Sequence, residues 1–269
     1  MADTIRVGII GANPERSWAL RAHIPALAAL PQYTLQAVST SRRESADEAA
    51  KKFHVPLAFD SHTDLVTHPD VDLVVVSVKV PFHHTLVMAA LEAGKAVFCE
   101  WPLGNGLQEA IEMAALARQK KVCTAVGLQA RFAPVINRVR DLVAQGYVGK
   151  VLSTSVVGSG LAYGEFVERP NAYLIDKANG ANLLTIASGH FLDAMCYCLG
   201  EFAELSATLA TRRPHVKITK TDESLSATSP DQVTVHGTLQ DGAVASFHFR
   251  GGQSRGTNLL WEINGTDGD

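Results

Sequence analysis

Short apolar runs alternate with longer Ala-rich stretches in the first half of the chain. Runs such as LVVV at 73–76 are apolar throughout and rich in β-branched residues. Strands of this kind are typical of a parallel sheet that is buried on both faces. The pattern predicts strands at 6–10, 35–39, 73–78, 96–99 and 124–127, with helices at 17–29, 43–53, 85–93 and 107–120 between them. The alternation predicts an α/β fold with a doubly wound parallel sheet.

The pattern changes after about residue 149, where strands with alternating polarity follow one another. These strands are predicted at 151–157, 205–209, 233–239, 244–249 and 259–263. The sequence QDG at 240–242 is a hairpin signal between two of them. One long helix is predicted at 180–199, and SLSATSP at 224–230 is predicted to be a mobile loop. We therefore expect a second domain of the α+β class, with an open and largely antiparallel sheet.

A glycine-containing turn follows the first predicted strand. Gly8, Gly11, Ala12 and Asn13 lie in the run GIIGAN, and the next helix opens near Ser17. In such a strand–turn–helix unit, backbone N–H groups and the helix N-terminus bind a pyrophosphate. No third glycine closes the motif, so a tight turn without a ligand is the alternative. The place of the turn, at the start of an alternating half-chain, favours a dinucleotide-binding Rossmann domain over residues 1–128.

The end of the second predicted strand bears on the choice of dinucleotide. An acidic residue at this place binds the ribose hydroxyls of NAD. Here Ser39 and Thr40 are followed by Arg42 and Arg43, with no carboxylate before Glu44. Hydroxyl and guanidinium groups suit a 2′-phosphate. The sequence therefore predicts NADP, with NAD as the alternative. The same residues are also explained without a bound phosphate, as two solvated arginines at the start of a helix.

Composition excludes several classes of partner. The formal net charge is -3, which gives no electrostatic reason to expect binding to nucleic acid or to an anionic membrane. No apolar run reaches the roughly 18 to 20 residues of a membrane span. The start of the sequence has no basic segment of a secretory signal. No cysteine spacing matches a zinc site, so no metal is expected, and the predicted location is cytoplasmic.

Six motifs occur along the chain in a characteristic order. They are GIIGAN at 8–13, His83 with ALEAGK at 90–95, EWPL at 100–103, QARFAP at 129–134, GYVGK at 146–150 and GHFLD at 189–193. As a set they resemble the glucose–fructose oxidoreductase and inositol dehydrogenase (Gfo/Idh/MocA-type) family. Within the family the chain is most similar to the branch that contains the fungal galactose-regulon repressor. This similarity rests on NPERSWALRAHIPAL at 13–27, on Trp101 and on the segment 163–182.

The resemblance implies a substrate-binding and dimerisation domain at 129–269, after the Rossmann domain. It also implies that Glu100, Trp101 and Gln129 lie on the cofactor side of the site, where Lys79 is expected from its position at the edge of the sheet. Active members of the family have a lysine in a Glu-Lys-Pro segment, where this chain has Trp101. An indole cannot exchange a proton near neutral pH. The lysine of the active members is therefore missing.

His190 is the remaining candidate for moving the substrate proton, because the resemblance implies a catalytic histidine on the helix of the second domain. Asp193 lies three residues later and is expected to share a helix face with His190 and to orient its imidazole. Lys79 follows the Val-rich strand at the ligand-binding edge of the sheet. Partly desolvated there, it is a candidate acid or base, or else it binds a phosphate or solvent.

Polar residues before the long helix form the predicted substrate side of the site. They lie in a Gly-containing connection that suits a sugar-like ligand or, alternatively, an interface. Arg131 lies with Gln129 at the domain junction; the resemblance places both near the nicotinamide end, and a structural role is the alternative. Together with His190, the predicted substrate-binding residues are Arg131, Tyr163, Arg169 and Tyr173.

The chain stops on the turn GTDG at 265–268, from which the family continues into further strands and helices. We therefore expect a C-terminally short second domain whose sheet is covered by a second copy, in a homodimer. The expected function is that of an NAD(P)-dependent oxidoreductase, which transfers hydride to or from a small polyhydroxylated or carbonyl substrate. A non-catalytic dinucleotide-binding regulatory protein is the alternative, because the usual lysine is absent.

Overall fold

A six-stranded parallel sheet forms the first unit of the computed structural model, which describes residues 4–269. The chain divides between Gly127 and Leu128 into two units. The strands of the first are β1 (Ile5–Ile10), β2 (Tyr33–Ser39), β3 (Leu57–Phe59), β4 (Leu73–Val76), β5 (Ala96–Glu100) and β6 (Thr124–Gly127). Their order is β3-β2-β1-β4-β5-β6, and all pairs are parallel. The doubly wound sheet that the sequence predicts is confirmed.

Helices separate these strands along the chain. They are α1 (Ile24–Ala29), preceded by a π-helical turn (Ala19–His23), α2 (Arg43–Phe53), α3 (His62–Thr67), α4 (His83–Glu92) and α5 (Leu107–Lys120). The helix expected at 17–29 is thus divided at its middle. Pro25 has no N–H to donate to the preceding turn, which accounts for the wider turn before α1.

Two short elements and one strand end differ from the sequence prediction. β3 and α3 were not predicted, because three and six residues are too few to show a period. The strand expected at 73–78 ends at Val76. Lys79 is exposed, so the desolvation expected of this side chain is absent.

The turn after β1 joins the carboxyl ends of three strands and requires glycine. Gly11 has a φ of +99°, and a Cβ atom at this position would lie 2.2 Å from the carbonyl oxygen of Ser77. The Gly11 N–H donates to the carbonyl oxygen of Ser39 at 2.9 Å, and the Ser77 N–H donates to that of Ile10 at 3.0 Å. The ends of β1, β2 and β4 are therefore held against one another at Gly11.

The second unit is built on a five-stranded mixed sheet. Its strands are β7 (Val151–Gly160), β9 (Phe202–Ala210), β12 (Gln232–Leu239), β13 (Val244–Gly251) and β14 (Leu259–Gly265), in the order β14-β7-β13-β12-β9. Only β7 and β13 are parallel within this sheet, so the prediction of a largely antiparallel sheet is confirmed. Helices α6 (Pro134–Ala144) and α7 (Gly189–Leu199) contribute Ile136 and Met195 to one core with Val156 and Phe247 of the sheet.

The other face of this sheet is polar, with a few apolar side chains. Ladder partners place Val157, Val244 and Leu260 on the face opposite Val156 and Phe247, and all three are exposed. Serine and threonine residues occupy much of the rest of this face, for example Ser153, Ser155 and Thr234.

Three predictions for the second unit need correction. The expected loop at 224–230 contains the strand β11 (Ser224–Ser226), which joins β8 (Phe166–Val167) and β10 (His215–Ile218) in a small sheet. The helix expected at 180–199 begins only at Leu183, with a π-helical segment (Leu183–Ser188) before α7. Asn182 caps this segment through its side chain, and Gly180 ends the preceding turn with a φ of +66°. Helix α6 was not predicted.

None of the helices in the described part of the chain is long and apolar enough to span a membrane.

Replacing Gly11 with alanine tests the tight turn. Gly11→Ala adds a clash with Ser77 to an unfavourable φ and is expected to destabilise the protein by about 3 kcal/mol or more. Gly94→Ala is the matched control, because Gly94 also has a positive φ, +72°, but has open space around it. The control is expected to cost only about 1 kcal/mol. Urea denaturation measures both changes, and equal losses would contradict the proposed clash.

Candidate functional site

The glycine turn of the first unit is rigid because its polar groups are bonded to one another. The Asn13 side-chain oxygen accepts hydrogen bonds from the N–H groups of Glu15 and Arg16, each at 3.0 Å. The Ser17 hydroxyl donates to the Asn13 carbonyl at 3.0 Å and accepts from the Leu20 N–H at 3.1 Å. The chain therefore enters the next helix along one fixed path.

The backbone comes unusually close to its neighbours at this turn. A Cβ atom on Gly8 would lie 2.9 Å from Cδ2 of Leu65, and Ala12 is fully buried. Ser77, whose carbonyl oxygen lies against Gly11, has a buried hydroxyl, and no group in the described part of the chain forms a hydrogen bond with this hydroxyl. A buried hydroxyl of this kind is normally satisfied by a partner. The close backbone approach at Gly8 and Gly11, at the carboxyl end of β1, fits a bound dinucleotide, as the sequence predicts.

The two arginines after β2 have different environments. Arg43 donates two hydrogen bonds to Asp47, at 3.1 and 2.5 Å, and a third to the carbonyl oxygen of Ala58 at 3.0 Å. Arg42 is exposed, and its guanidinium forms no hydrogen bond with any residue in the range 4–269. The Thr40 hydroxyl donates to the Arg42 carbonyl oxygen at 2.9 Å, and Ser39 is buried. Of the two arginines predicted to bind a phosphate, Arg42 is therefore the one whose guanidinium is not already engaged by described residues of the chain.

A histidine–glutamate pair at the end of β5 was not predicted from the sequence. Nε2 of His23, in the π-helical turn, lies 2.5 Å from Oε1 of Glu100, and both side chains are largely buried. The His23 ring also packs edge-on against Phe98, with centroids 5.3 Å apart. The positions are 77 residues apart, and no local period relates them. The similarity of the segment 13–27 to a known branch was the one available signal.

A second histidine fixes the loops at the same edge of the sheet. His83 is buried, with Nδ1 2.8 Å from the carbonyl oxygen of Pro102 and Nε2 3.1 Å from that of Val78. It therefore ties the segment that carries Lys79 to the segment that carries Trp101. Trp101 is half-buried, and the Trp101–Pro102 peptide bond is cis.

The second unit contains a cavity of about 180 Å³ beside His190. Its apolar lining consists of Ala130, Ala187, Phe191, Phe249 and Leu259. The polar lining consists of His190, Ser159 and Asn258. His190 lies in the first turn of α7 and is half-buried, so its imidazole belongs to a concave surface of the kind that binds small molecules.

Asp193, one turn after His190 on α7, pairs with Arg131. The Arg131 guanidinium donates three hydrogen bonds to the Asp193 carboxylate, at 2.9, 2.8 and 2.5 Å. These hydrogen bonds raise the pKa of Arg131. Arg131 also lies over the ring of Tyr197, 5.2 Å from its centroid. The expected role of Asp193, orienting His190, stays a prediction.

The other predicted substrate residues do not line the cavity beside His190. Tyr163 lines a separate cavity of about 20 Å³, and burial raises its pKa. Arg169 donates to the Glu223 carboxylate on the surface and lowers the pKa of that carboxyl. Tyr173 is half-buried in the short helix Arg169–Ile175, and Gln129 is exposed. Of these predicted residues, His190 alone lies on the cavity wall.

Two protein families match the chain, one for each unit. The family described as an oxidoreductase family with an NAD-binding Rossmann fold matches residues 5–128. The family described as the C-terminal domain of Gal80p matches residues 134–269.

Individual relatives include both a dehydrogenase and a regulator. The dehydrogenase aclE of Aspergillus oryzae is 38% identical over 89% of this chain and 68% of its own length. The galactose/lactose metabolism regulatory protein GAL80 of Kluyveromyces lactis is 31% identical over 98% of this chain and 63% of its own length. A crystal structure of a super-repressor mutant of Gal80p from Saccharomyces cerevisiae matches with a TM-score of 0.93 and 29% identity, over 99% of this chain and 74% of that one. The chain thus spans about two thirds of the length of the curated relatives it matches.

Proposed function

Because this chain belongs to the oxidoreductase family with an NAD-binding Rossmann fold, and to its branch with the Gal80p C-terminal domain, we propose that it is an NADP-preferring oxidoreductase. It transfers hydride to or from a small polyhydroxylated or carbonyl substrate. The observation that carries this proposal is the concave site beside His190, which retains a proton-transfer group and has room for a small molecule.

The first unit supplies the dinucleotide site. Gly8 and Gly11 allow close approach of the backbone, and the turn at Ala12 and Asn13 leads toward the helix N-terminus, where a pyrophosphate is stabilised. Arg42 is the proposed ligand of a 2′-phosphate. When bound, NADP supplies the hydride donor or acceptor of the reaction.

In the second unit, His190 is proposed to hold and move the proton of the substrate hydroxyl. Asp193 and Arg131 fix the first turns of α7 against the segment that precedes α6, and so position His190. In the first unit, Glu100 and His23 form a hydrogen-bonded pair beside Trp101, which itself cannot exchange a proton. Because Lys79 is exposed, its proposed role is the other one expected from the sequence, the binding of a phosphate or solvent.

A regulatory role is the second candidate function. Trp101 stands where active members of the family have lysine, and the regulatory protein GAL80 is similar along 98% of the chain. In this case the dinucleotide acts as a signal, and a protein partner replaces the substrate.

We further propose that the protein is a homodimer that packs through the open face of the five-stranded sheet. Val157, Val244 and Leu260 are exposed on this face among serine and threonine side chains. Their mixture suits an interface with an apolar centre and many hydrogen bonds.

Turnover separates the enzyme from the regulator. NADPH is added to the full chain with a panel of aldoses, ketoses and cyclic ketones, and the loss of reduced-nicotinamide fluorescence is followed. We expect oxidation with at least one substrate, and a fall in kcat of about a hundredfold or more for His190→Asn, because a general acid–base group is lost. His215→Asn, on β10 of the small sheet and outside the cavity, is the control. Tight NADPH binding without turnover across the panel would support the regulator instead.

Arg42 is expected to decide the choice of dinucleotide. Arg42→Ala should weaken NADPH binding by about tenfold or more, since it removes charge-assisted hydrogen bonds to the 2′-phosphate, and should leave NADH binding almost unchanged. Arg43→Ala should have the smaller effect, because Asp47 and Ala58 already engage this guanidinium. Fluorescence titration gives both affinities. Equal affinity of the wild-type protein for the two dinucleotides would reject the NADP preference.

The proposed dimer is tested by the native mass in solution. We expect twice the chain mass of 28.8 kDa for the wild-type protein. Val157→Lys places a charge at the centre of the proposed interface and should give a monomer. A wild-type monomer, or a dimer unaffected by Val157→Lys, would show that this face is not the interface.

A further inference from the structure

The glycine turn after β1 uses most of its own backbone donors. The N–H groups of Gly11 and Asn13 donate to carbonyl oxygens of the chain, each at 2.9 Å. The N–H groups of Glu15 and Arg16 both donate to the Asn13 side-chain oxygen. Pro14, between them, has no N–H to offer. The backbone of this turn therefore has little hydrogen-bonding capacity left for a ligand.

A pyrophosphate at such a turn needs donors or positive charge. In a Rossmann turn the donors are usually backbone N–H groups of the glycine segment and of the first helical turn. Here the helix that follows is engaged as well, because the Leu20 N–H donates to the Ser17 hydroxyl at 3.1 Å. A side-chain cation is therefore the group that can supply the missing hydrogen bonds and neutralise the phosphate charge.

Lys52 and Arg16 are cations at this turn, and their environments differ. Nζ of Lys52, on α2, donates to the Pro14 carbonyl oxygen at 2.5 Å and so joins the turn to α2. Arg16 is exposed, and its guanidinium forms no hydrogen bond or ion pair with any residue in the range 4–269. Asn13 fixes the backbone from which this side chain extends. Glu15 is exposed beside it, so without Arg16 the charge of the segment 13–17 would repel an anion.

We propose that Arg16 binds the pyrophosphate of the dinucleotide, in a turn that lacks the third glycine of the usual motif. The inference rests on the proposed function, because it names a ligand within the same dinucleotide site. A guanidinium forms paired, charge-assisted hydrogen bonds with phosphate oxygens. The pyrophosphate is common to NAD and NADP, whereas the 2′-phosphate proposed to contact Arg42 belongs to NADP alone. Arg16 therefore sets the affinity for both dinucleotides, and Arg42 sets the choice between them.

The test is titration of the full chain with NADH and with NADPH, followed by reduced-nicotinamide fluorescence. We expect Arg16→Gln to raise the Kd of both dinucleotides by about tenfold or more and by similar factors, because charge-assisted hydrogen bonds to a shared group are lost. Arg16→Lys keeps the charge without the paired donors and should restore part of the affinity. Added salt should weaken NADH binding less in Arg16→Gln than in the wild-type protein.

Arg118→Gln is the matched control. Arg118 is also an exposed arginine of the first unit, but it lies in the last turn of α5, before the amino end of β6, whereas the glycine turn follows the carboxyl end of β1. We expect both glutamine variants to keep the wild-type Tm without dinucleotide, because both side chains are exposed.

The outcomes separate this inference from the proposed function. Unchanged Kd values for Arg16→Gln, or a loss no larger than that of Arg118→Gln, would overturn the inference and leave the dinucleotide site intact. A loss confined to NADPH would also overturn it, because Arg16 would then contact the 2′-phosphate. If neither dinucleotide binds to the wild-type protein, the proposed function and this inference both fail.

Discussion

The pair formed by Arg131 and Asp193 is the contact on which the site of the second unit depends. Arg131 lies beside Ala130 in the segment before α6, and Asp193 lies one turn after His190 on α7, so three hydrogen bonds join two walls of one cavity. The Asp193 side chain is only 11% exposed. A carboxylate this buried requires its partner, because loss of one partner from such a pair costs far more than an exposed pair gains. The shape of the cavity is therefore tied to one electrostatic contact.

In the first unit, backbone geometry fixes the shape of the candidate site. The absence of a side chain at Gly11 lets the turn after β1 touch the end of β4, and His83 joins the loops after β4 and β5 through two carbonyl oxygens. His23 and Glu100 then form a largely buried pair at this edge. One unit thus fixes its candidate site mainly through sterics and carbonyl contacts, and the other through a buried ion pair.

Local sequence patterns were sufficient to predict the main strands of both sheets. In the first sheet a strand such as β4 is apolar throughout, and in the second a strand such as β13 alternates between buried and open positions. These patterns failed for β3, α3 and the small sheet of β8, β10 and β11, which are too short for a period or depend on distant partners. His190 was found through a motif. The hydrogen bond between His23 and Glu100 forms only when the chain is folded, so no sequence pattern shows it. The same holds for the ion pair between Arg43 and Asp47, and sequence patterns therefore could not distinguish the roles of Arg42 and Arg43.

The position of β7 between β13 and β14 in the second sheet has a consequence for how the chain folds. Both of its neighbours, β13 and β14, come late in the sequence, and the contact between Trp261 and Thr154 spans 107 residues. During synthesis β7 therefore emerges from the ribosome long before either partner and stays without its ladder until β13 and β14 have been made. Such non-local pairing slows folding and leaves the edges of an unpaired strand open to wrong contacts. The order of the strands thus makes the second unit the slower half of the protein to assemble.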